Sequence, residues 1–483
     1  MNEGITRRQV LLTGAAAAAG SLSTRASRSE QTQASESSDR PPQDAEKSSN
    51  NPNAKFSRYS RYHPSFGGPP DSDEYLGKLV PGFRPSGREP VPFVAPDLEK
   101  LSWKMVNGVK EFELRCTPVK QEFLPGKYMN VWGYNDSMPG PTMEAVQGDR
   151  VRIIVHNELP EPTSVHWHGL ELPVEFDGVP GVTQHLIPPG GTYVYEYDLH
   201  QTGTFFYHSH VAMQEAFGMV GFFIIHPHVA YDPPVDRDFG LIFQNFFISP
   251  NTSTPDSMRE FGWNWQTING RSGPFTTPLV CKHGERVRIR IMDFSPMQHH
   301  PIHIHGHTFW LTGTEGGRIP SSAWIPRNTT LIGVAMAHDF EFVAFNPGDW
   351  TFHCHMVHHM MNHMVRQVGP RIREEENVST YLNALPNRPP ADPAFANPAF
   401  GVPGYPQKMQ SQEMSDEAMQ KINGRRETRG MRKKWHEGIK GLMTVMRVLP
   451  EEFYDLVMHS DEHIPPGAIF EAIAKGKYRT HRS

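Results

Sequence analysis

The sequence predicts an all-β protein of two similar domains, each a Greek-key β-sandwich, followed by a partly helical C-terminal extension. Short runs rich in Val, Ile, Phe and Tyr, such as VRIIVHN, TYVYEY and MVGFFIIH, are separated by turn signals such as PPGG at Pro188 to Gly191. An internal repeat indicates two domains, because PTMEAVQGDRVRIIVHN at Pro141 to Asn157 resembles TPLVCKHGERVRIRIMD at Thr277 to Asp293. Each copy has enough residues for a β-sandwich with its own core.

The N-terminal segment, residues 1–27, has the pattern of a twin-arginine export signal. Arg7 and Arg8 precede an alanine-rich apolar run that is too short for a stable membrane span. Residues 28–57, rich in Ser, Gln, Glu and Asn, predict a flexible linker, and residues 58–100 a loop-rich lead-in. We therefore expect a periplasmic or secreted protein, the alternative being an incidental arginine pair before a disordered tail.

The run His353-Cys354-His355, followed by His359 and Met364, combines the ligands of two kinds of copper site. Side chains alternate along a β-strand, so Cys354 faces one way while His353 and His355 face the other. One strand can therefore serve two metal sites. The competing interpretation is a histidine-rich loop with a buried structural cysteine.

Histidines recur as His-x-His pairs where strand ends are expected. With the pair flanking Cys354 they make eight imidazoles, the number that a cluster of three coppers needs: His166 and His168, His208 and His210, His303 and His305, His353 and His355. A fifth, looser pair, His226 and His228, is interpreted as an ordinary strand exit.

These motifs resemble those of the multicopper oxidase family, which includes laccases, bilirubin oxidases and metallo-oxidases. They are HWHG at His166, HSH at His208, HPIHIHGH at His300 and HCHMVHHMMNHM at His353, in the family's order. The resemblance implies two cupredoxin-like domains and copper as cofactor, with four copper ions per functional unit. It also implies that O2 is reduced to water in four one-electron steps while a small substrate is oxidised.

The resemblance assigns each ligand to one of three kinds of copper. The type 1 site, where the substrate gives up its electron, would consist of His300, Cys354, His359 and Met364. The type 2 copper would be bound by His166 and His303. The type 3 pair would be bound by His168, His208, His210, His305, His353 and His355. Electrons would pass from Cys354 through its flanking histidines. The neighbouring His299, His307 and His358 are interpreted as supporting residues rather than ligands.

The first domain lacks the residues for a type 1 site. Polar side chains replace the ligands there, with Thr163 for His300, Ser209 for Cys354 and Gln214 for His359. Met219 keeps the spacing of Met364, but a core methionine is the simpler interpretation.

The short spacing between the two copper domains is similar to that of a two-domain multicopper oxidase whose type 1 site lies in the second domain. The resemblance implies a homotrimer with each cluster between the first domain of one subunit and the second domain of the next, and a closed ring suits such an assembly. A net charge of −5 argues for neither nucleic acid nor an anionic membrane surface as a partner.

A carboxylate near the cluster would supply protons for oxygen reduction. Asp177, in DGVPGVTQ, resembles the family's segment with this role, the alternative being a turn aspartate before Gly178, and Glu175 is a weaker candidate. Family members often have an acidic residue three positions after the copper cysteine, where this chain has Val357. Val357 cannot carry a proton, so this position offers no second proton route.

The reducing substrate is left open between phenols or aromatic amines and cuprous or manganous ions. Methionines near the type 1 motifs favour metal, because thioethers bind cuprous ion, although methionine is also a common core residue: Met292, Met297, Met356, Met360 and Met361. An axial Met364 predicts a lower type 1 potential than leucine would give. A copper nitrite reductase fits less well, because its type 1 cysteine belongs in the first domain.

The predicted domains span residues 101–230 and 231–371, and residues 372–483 form a proline-rich linker and a helical extension. A helix is expected to start at Pro450, and the basic run Arg425 to Lys434 is interpreted as a solvated helix face. The sequence leaves open whether the extension covers the type 1 site, braces the trimer or recruits a partner. It also leaves open whether Cys116 and Cys281 form a disulfide or remain buried thiols.

Overall fold

The computed structural model describes residues 91–228, 230–248, 252–256, 263–362 and 415–476. The predicted export signal, the flexible linker, the proline-rich stretch up to residue 414 and Met364 therefore lie outside the described residues. Within the described part, no helix is both long enough and apolar enough to span a membrane.

The first domain consists of two facing sheets. The strands up to its end are β1 (Phe93–Val94), β2 (Trp103–Val106), β3 (Val109–Leu124), β4 (Lys127–Tyr134), β5 (Met143–Val146), β6 (Arg150–Asn157), β7 (Val165–His168), β8 (Thr192–Asp198), β9 (Gly203–Ser209) and β10 (Val220–His226). One sheet has the order β2-β3-β6-β8 with β4 also on β3, and the other has the order β5-β10-β9-β7. A short helix, α1 (Ala212–Ala216), joins β9 to β10.

The second domain repeats this plan. Its strands are β11 (Arg237–Phe246), β12 (Trp265–Ile268), β13 (Leu279–Lys282), β14 (Arg286–Asp293), β15 (His300–Ile304), β16 (Phe309–Thr314), β17 (Gly317–Arg318), β18 (Ile325–Arg327), β19 (Thr329–Ile332), β20 (Ala337–Val343), β21 (Gly348–Cys354) and β22 (Met443–Leu449). The larger sheet has the order β1-β11-β14-β20-β16-β17, with β12 on β11 and β18 on β16. The other has the order β13-β22-β21-β15-β19. The all-β prediction is confirmed.

The internal repeat corresponds to equivalent strands. Its first copy forms β5 and β6, and its second copy forms β13 and β14. In β6 every second residue is buried, as expected for a strand with one solvated face. In β14 both faces are buried, because the first domain packs against the outer one.

Strand β22 lies far from its partners in sequence. It pairs antiparallel with β21 and parallel with β13, and so occupies the position that β10 holds in the first domain. The second domain therefore extends beyond the predicted boundary at residue 371. The expected helices of the extension are present as α2 (Asp416–Asn423), α3 (Glu451–Met458) and α4 (Ala468–Ala474), and α3 begins directly after Pro450.

Two arginines of the basic run are bound to backbone rather than solvated. Arg425 donates to the carbonyl oxygen of Phe275 at 2.7 Å. Arg429 donates to those of Leu456 and Val457 at 3.1 and 2.9 Å, near the C-terminal end of α3, where cations are favoured. The interpretation of this run as a solvated helix face was wrong for these residues, and no sequence pattern reveals such distant carbonyl partners.

The two domains share an apolar interface and a buried ionic network. Phe206 and Phe222 of the first domain pack in one cluster with Ile242 and Met292 of the second. Beside it, the fully buried Arg290 pairs with Asp238 and donates to Thr204 of β9 at 2.9 Å. Buried charges need such partners, so the network fixes how the domains pack.

The remaining cysteines are free, buried thiols. Cys116 lies in the core of the first domain and Cys281 in that of the second. Of the two alternatives, buried thiols are therefore the one observed.

Candidate metal centre

The histidine pairs of the first domain lie on neighbouring strands. Because β7 and β9 pair antiparallel with His166 opposite His208, the alternation of side chains brings these rings to one face. Nitrogen atoms of His166, His168 and His208 all lie within 4.8 Å of one another. His210 follows β9, with its ring 5.5 Å from that of His166.

The second domain forms a matching set from β15 and β21. His303 pairs opposite His353, and the Nε2 atoms of His305 and His353 are 3.1 Å apart. The ring of His355 lies 5.7 Å from that of His303. The two domains thus present two sets of four imidazoles with the same relation to their strands.

Backbone carbonyl oxygens fix the tautomers of four of these rings. The Nδ1 atom of His166 lies 2.6 Å from the Asp177 carbonyl oxygen, and that of His303 lies 2.6 Å from the Asn328 carbonyl oxygen. The Nδ1 atom of His208 lies 2.7 Å from the Ser209 carbonyl oxygen, and that of His353 lies 2.8 Å from the Cys354 carbonyl oxygen. Each Nδ1 must carry the hydrogen to donate to a carbonyl. Nε2 is then left with a lone pair, as a metal ligand requires.

Burial keeps several of these rings neutral. It lowers the pKa of His208 to about 3 and the pKa values of His168 and His353 to about 4, with neighbouring imidazoles adding to the effect. At neutral pH a metal ion therefore displaces no proton from these nitrogens.

The two sets of imidazoles are not brought together within the chain. Throughout the described residues, the ring contacts and hydrogen bonds among these eight histidines connect members of the same set. His210, His305 and His355 are exposed. Each set is therefore open at one side.

A third group combines a thiol with two imidazoles. The Nδ1 atoms of His300 and His359 are 3.0 Å apart, and the Sγ atom of Cys354 lies 3.4 Å from Nδ1 of His359. A single 3-10 turn, Val357–Met360, brings His359 back toward the end of β21. All three are buried, and burial lowers the pKa of His359 to about 4 and raises that of Cys354 to about 12.

Residues that sequence reasoning missed support His300. Its Nε2 lies 2.7 Å from the Oγ atom of Ser295, which donates to the Oδ1 atom of Asn245 at 3.0 Å. Asp293 accepts from the Ser295 backbone N–H at 2.8 Å. Ser295 and Asp293 lie close to His300 in the chain, but only the turn between β14 and β15 aims them at its ring.

The corresponding place in the first domain holds a closed hydrogen-bond network. The Gln214 Oε1 atom accepts from Thr163 at 2.7 Å and from Ser209 at 2.8 Å, and its Nε2 donates to the Pro162 carbonyl at 2.9 Å. These side chains satisfy one another and include no thiol. The prediction that this domain lacks the residues for a type 1 site agrees with the arrangement.

Asp177 lies beside the first histidine set. Besides its backbone contact, its Oδ1 atom is 3.4 Å from Nδ1 of His166, and its side chain is about one third exposed. Glu175 lies in the preceding 3-10 turn, Val174–Phe176, where its carbonyl oxygen accepts from the Tyr193 hydroxyl. Of the two carboxylates, only that of Asp177 has a contact with a histidine of this set among the described residues.

The other histidines near the motifs have different partners. Both ring nitrogens of His307 contact backbone groups, the His305 carbonyl and the Asn346 N–H. His299 accepts from the Val334 N–H at 3.1 Å, and His358 is exposed. His226 ends β10, as the strand-exit interpretation predicted, and pairs with Glu144.

The donor sets fit copper. A buried thiol with two neutral imidazoles is the soft and borderline combination that copper takes for electron transfer, and two sets of imidazoles with free Nε2 atoms suit a second kind of copper site. Cys354 must lose its proton when it binds the metal, since the thiolate is the ligand.

Comparisons with known proteins agree with this chemistry. Two family models described as multicopper oxidase match residues 115–229 and 247–373, which together cover half of the chain. The chain is 29% identical over 286 residues to a probable nitrite reductase-hydroxylamine oxidoreductase fusion protein from Kuenenia stuttgartiensis, covering 56% of this chain and 32% of the relative. It is 30% identical over 223 residues to Laccase-1 of Botryotinia fuckeliana, covering 44% and 38%.

A solved structure, the blue copper oxidase from Nitrosomonas europaea, aligns with a TM-score of 0.49 at 29% identity, covering 52% of this chain and 81% of that one. The chain spans less than half the length of the two curated relatives. The chain belongs to the multicopper oxidase family, as a two-domain member with copper as its cofactor.

Proposed function

We propose that the protein is a copper-dependent oxidase that couples one-electron oxidation of a small substrate to the reduction of O2 to water. The observation that carries this proposal is β21, which places Cys354 in the thiol group while His353 belongs to the second histidine set. Four substrate molecules each lose one electron, and O2 takes up four electrons and four protons to give two water molecules.

We assign His300, Cys354 and His359 to the type 1 copper. His166 and His303 would hold the type 2 copper, and the type 3 pair would be held by His168, His208, His210, His305, His353 and His355. Bound copper supplies the one-electron redox chemistry at both places. The chain supplies a short path between them, since Nδ1 of His353 donates to the carbonyl oxygen of Cys354 itself.

Asp177 is the proposed proton-transfer residue. Its carboxylate is exposed enough to exchange protons with water and contacts His166 at 3.4 Å. Its backbone carbonyl orients the same ring. The residue therefore has two separable roles, of which only the first needs an ionisable side chain.

The proposed assembly is a homotrimer in which each cluster takes one histidine set from each of two neighbouring subunits. Two observations support it. The sets are separate within one chain, and both leave histidines exposed that a neighbouring subunit would cover. Export by the twin-arginine route, indicated by Arg7 and Arg8, is part of the same proposal because it delivers folded proteins.

Phenols or aromatic amines are the proposed substrates, as the laccase among the relatives suggests. The name of the Kuenenia relative raises nitrite reduction as a competing activity. Ser209 argues against nitrite reduction, because a copper nitrite reductase has its type 1 cysteine in the first domain, at the position that Ser209 occupies here.

Cuprous ion is a second candidate substrate, favoured by exposed thioethers. Met297 and Met356 are 56% and 39% exposed, whereas Met292 and Met361 are buried. Met336, which sequence reasoning did not single out, is 37% exposed and lies two residues beyond Val334, whose N–H contacts His299. Exposed methionines near His300 and Cys354 suit capture of a soft cation.

Oxygen uptake by the copper-loaded protein, measured with a methoxyphenol and separately with cuprous ion, tests the proposal. Faster turnover of the phenol supports the laccase-like function. If cuprous ion is faster, Met297→Leu and Met356→Leu should slow it, while the buried control Met292→Leu should not. Oxygen uptake with neither substrate, together with nitrite-dependent turnover, would contradict the oxidase proposal.

A further inference from the structure

The strand that carries the copper cysteine and the strand that carries its first-domain counterpart pair with their neighbours in equivalent registers, β21 with β22 and β9 with β10. In the first domain His208 pairs opposite Val220, so the next residues, Ser209 and Met219, also face each other. The Ser209 N–H donates to the Met219 carbonyl at 3.2 Å. Met219 is thus the residue directly across the ladder from the counterpart of the copper cysteine.

The second domain has the same relation with a different residue. His353 pairs opposite Met443, and the Cys354 N–H donates to the Leu442 carbonyl at 3.1 Å. Leu442 therefore stands across from Cys354 as Met219 stands across from Ser209. The register makes Leu442, from the C-terminal extension, the structural counterpart of Met219.

A second hydrogen bond repeats the correspondence. The Met219 N–H donates to the Gln214 carbonyl at 3.3 Å, and the Leu442 N–H donates to the His359 carbonyl at 2.8 Å. Gln214 is the first-domain counterpart of His359. Both ends of the type 1 loop, residues 354–359, are therefore tied to Leu442, as both ends of the corresponding first-domain loop, residues 209–214, are tied to Met219.

Close packing holds the residues that precede β22 against the type 1 loop. Gly441 has a φ of +58°, and a Cβ atom on it would lie 2.2 Å from the His359 carbonyl oxygen, so only glycine allows the approach. Gly218 precedes Met219 with a φ of +107°. Leu442 is fully buried in the same core cluster as Cys354.

Residues that face each other across an antiparallel ladder project from the same side of the sheet. The side chains of Leu442 and Cys354 therefore share the side on which His300 and His359 converge. We propose that Leu442 occupies the axial position of the type 1 copper, an inference that rests on the copper assignment under Proposed function. Spacing alone selects Met364 for that position, because it follows Cys354 at the interval that separates Met219 from Ser209.

The choice has a chemical consequence. A methionine offers a thioether sulfur that stabilises the oxidised ion, whereas leucine offers no donor atom, and the axial ligand tunes the reduction potential. An axial Leu442 gives a higher potential than the methionine expected from spacing. Substrates that are harder to oxidise then come within reach, which suits phenols.

Three single variants of the full-length, copper-loaded protein test the inference. Leu442→Met should lower the type 1 potential and change the type 1 electron paramagnetic resonance spectrum, because it adds a sulfur donor. Met364→Leu should leave both unchanged. Met446→Leu, a matched exchange at a fully buried position of β22 in the same core cluster, is the control and should also leave both unchanged. Leu442 and Met446 are core residues, where exchanges between leucine and methionine are usually tolerated, so the Leu442→Met and Met446→Leu variants are expected to fold.

The opposite pattern overturns the inference: a potential raised by Met364→Leu and unmoved by Leu442→Met. A Leu442→Met variant whose potential and spectrum match those of the Met446→Leu control also overturns it. A failure of the proposed function has a different signature, since the unmodified protein would then lack a type 1 spectrum altogether.

Discussion

Ser295 shows how a residue outside the ligand set is expected to control copper at His300. Its hydroxyl contacts Nε2 of that ring at 2.7 Å and holds Nδ1 toward Cys354 and His359. Ser295→Ala should weaken type 1 copper binding about 10- to 100-fold, the usual effect of removing such a partner. A competition titration with a copper chelator, followed by the blue absorption, measures this affinity.

The control for Ser295→Ala is Ser272→Ala. Ser272 is equally buried but donates to the Gln266 carbonyl, away from the ligands. Equal copper affinities in the two variants would show that the Ser295 hydroxyl does not support copper binding at His300.

Asp177 gives a second prediction at this scale. Asp177→Asn keeps the backbone contact to His166 but cannot carry a proton, so oxygen reduction should slow while the blue colour remains. Steady-state oxygen uptake and the absorption spectrum measure the two effects separately. Glu175→Gln is the matched control and should turn over like the unmodified protein; unchanged turnover in Asp177→Asn would exclude the residue from proton transfer.

At the scale of elements, strands β14, β17 and β20 are joined by a buried carboxylate. Burial alone raises the pKa of Glu341, but hydrogen bonds and charges from Arg318, Arg288 and Arg286 outweigh it and lower the pKa from 4.5 to about 2. A depressed pKa means that the ionised form stabilises the fold. This stability is fully present above about pH 4.5 and is lost as the pH falls through about 2.

Glu341→Gln should therefore lower the free energy of unfolding at neutral pH by about 3–5 kcal/mol, because it leaves buried arginines without a full partner. Denaturant unfolding between pH 7 and the acid range measures the difference from the unmodified protein. We expect that difference to shrink as the pH approaches 2. Glu113→Gln, an exposed exchange on β3, is the control. A difference in unfolding free energy that does not change with pH would show that the ionised carboxylate of Glu341 does not stabilise the fold.

Elements with local signals were predictable, and the strand without one was not. Alternation along β7, β9, β15 and β21 placed the histidine pairs on shared faces, and Pro450 indicated the start of α3. Strand β22 is apolar like many other segments of the chain. Its partners β13 and β21 precede it in the sequence by more than 80 residues, so no local pattern assigns β22 to β21. The same limit explains why spacing selects Met364 while the register selects Leu442.

At the scale of the whole molecule, the motifs identify the eight histidines but not their separation. That separation depends on how the domains pack through Phe206, Phe222 and Met292, and on Arg290 with its buried partners. Such contacts join residues far apart in the sequence and carry no motif. The expectation of a shared cluster came from the resemblance to the family, and the separate sets of imidazoles support it.

The most direct test of the shared cluster combines two inactive variants. One carries His166→Ala and His168→Ala in the first-domain set, and the other carries His303→Ala and His353→Ala in the second-domain set. Each should be inactive alone. Co-expressed in equal amounts, they should regain about a quarter of the normal oxygen uptake. A mixed closed ring has one intact pair of sets among its three, and about three quarters of randomly assembled rings are mixed. If mass spectrometry finds mixed assemblies but oxygen uptake stays at the level of either variant alone, each chain builds its own cluster and neighbouring subunits do not share one.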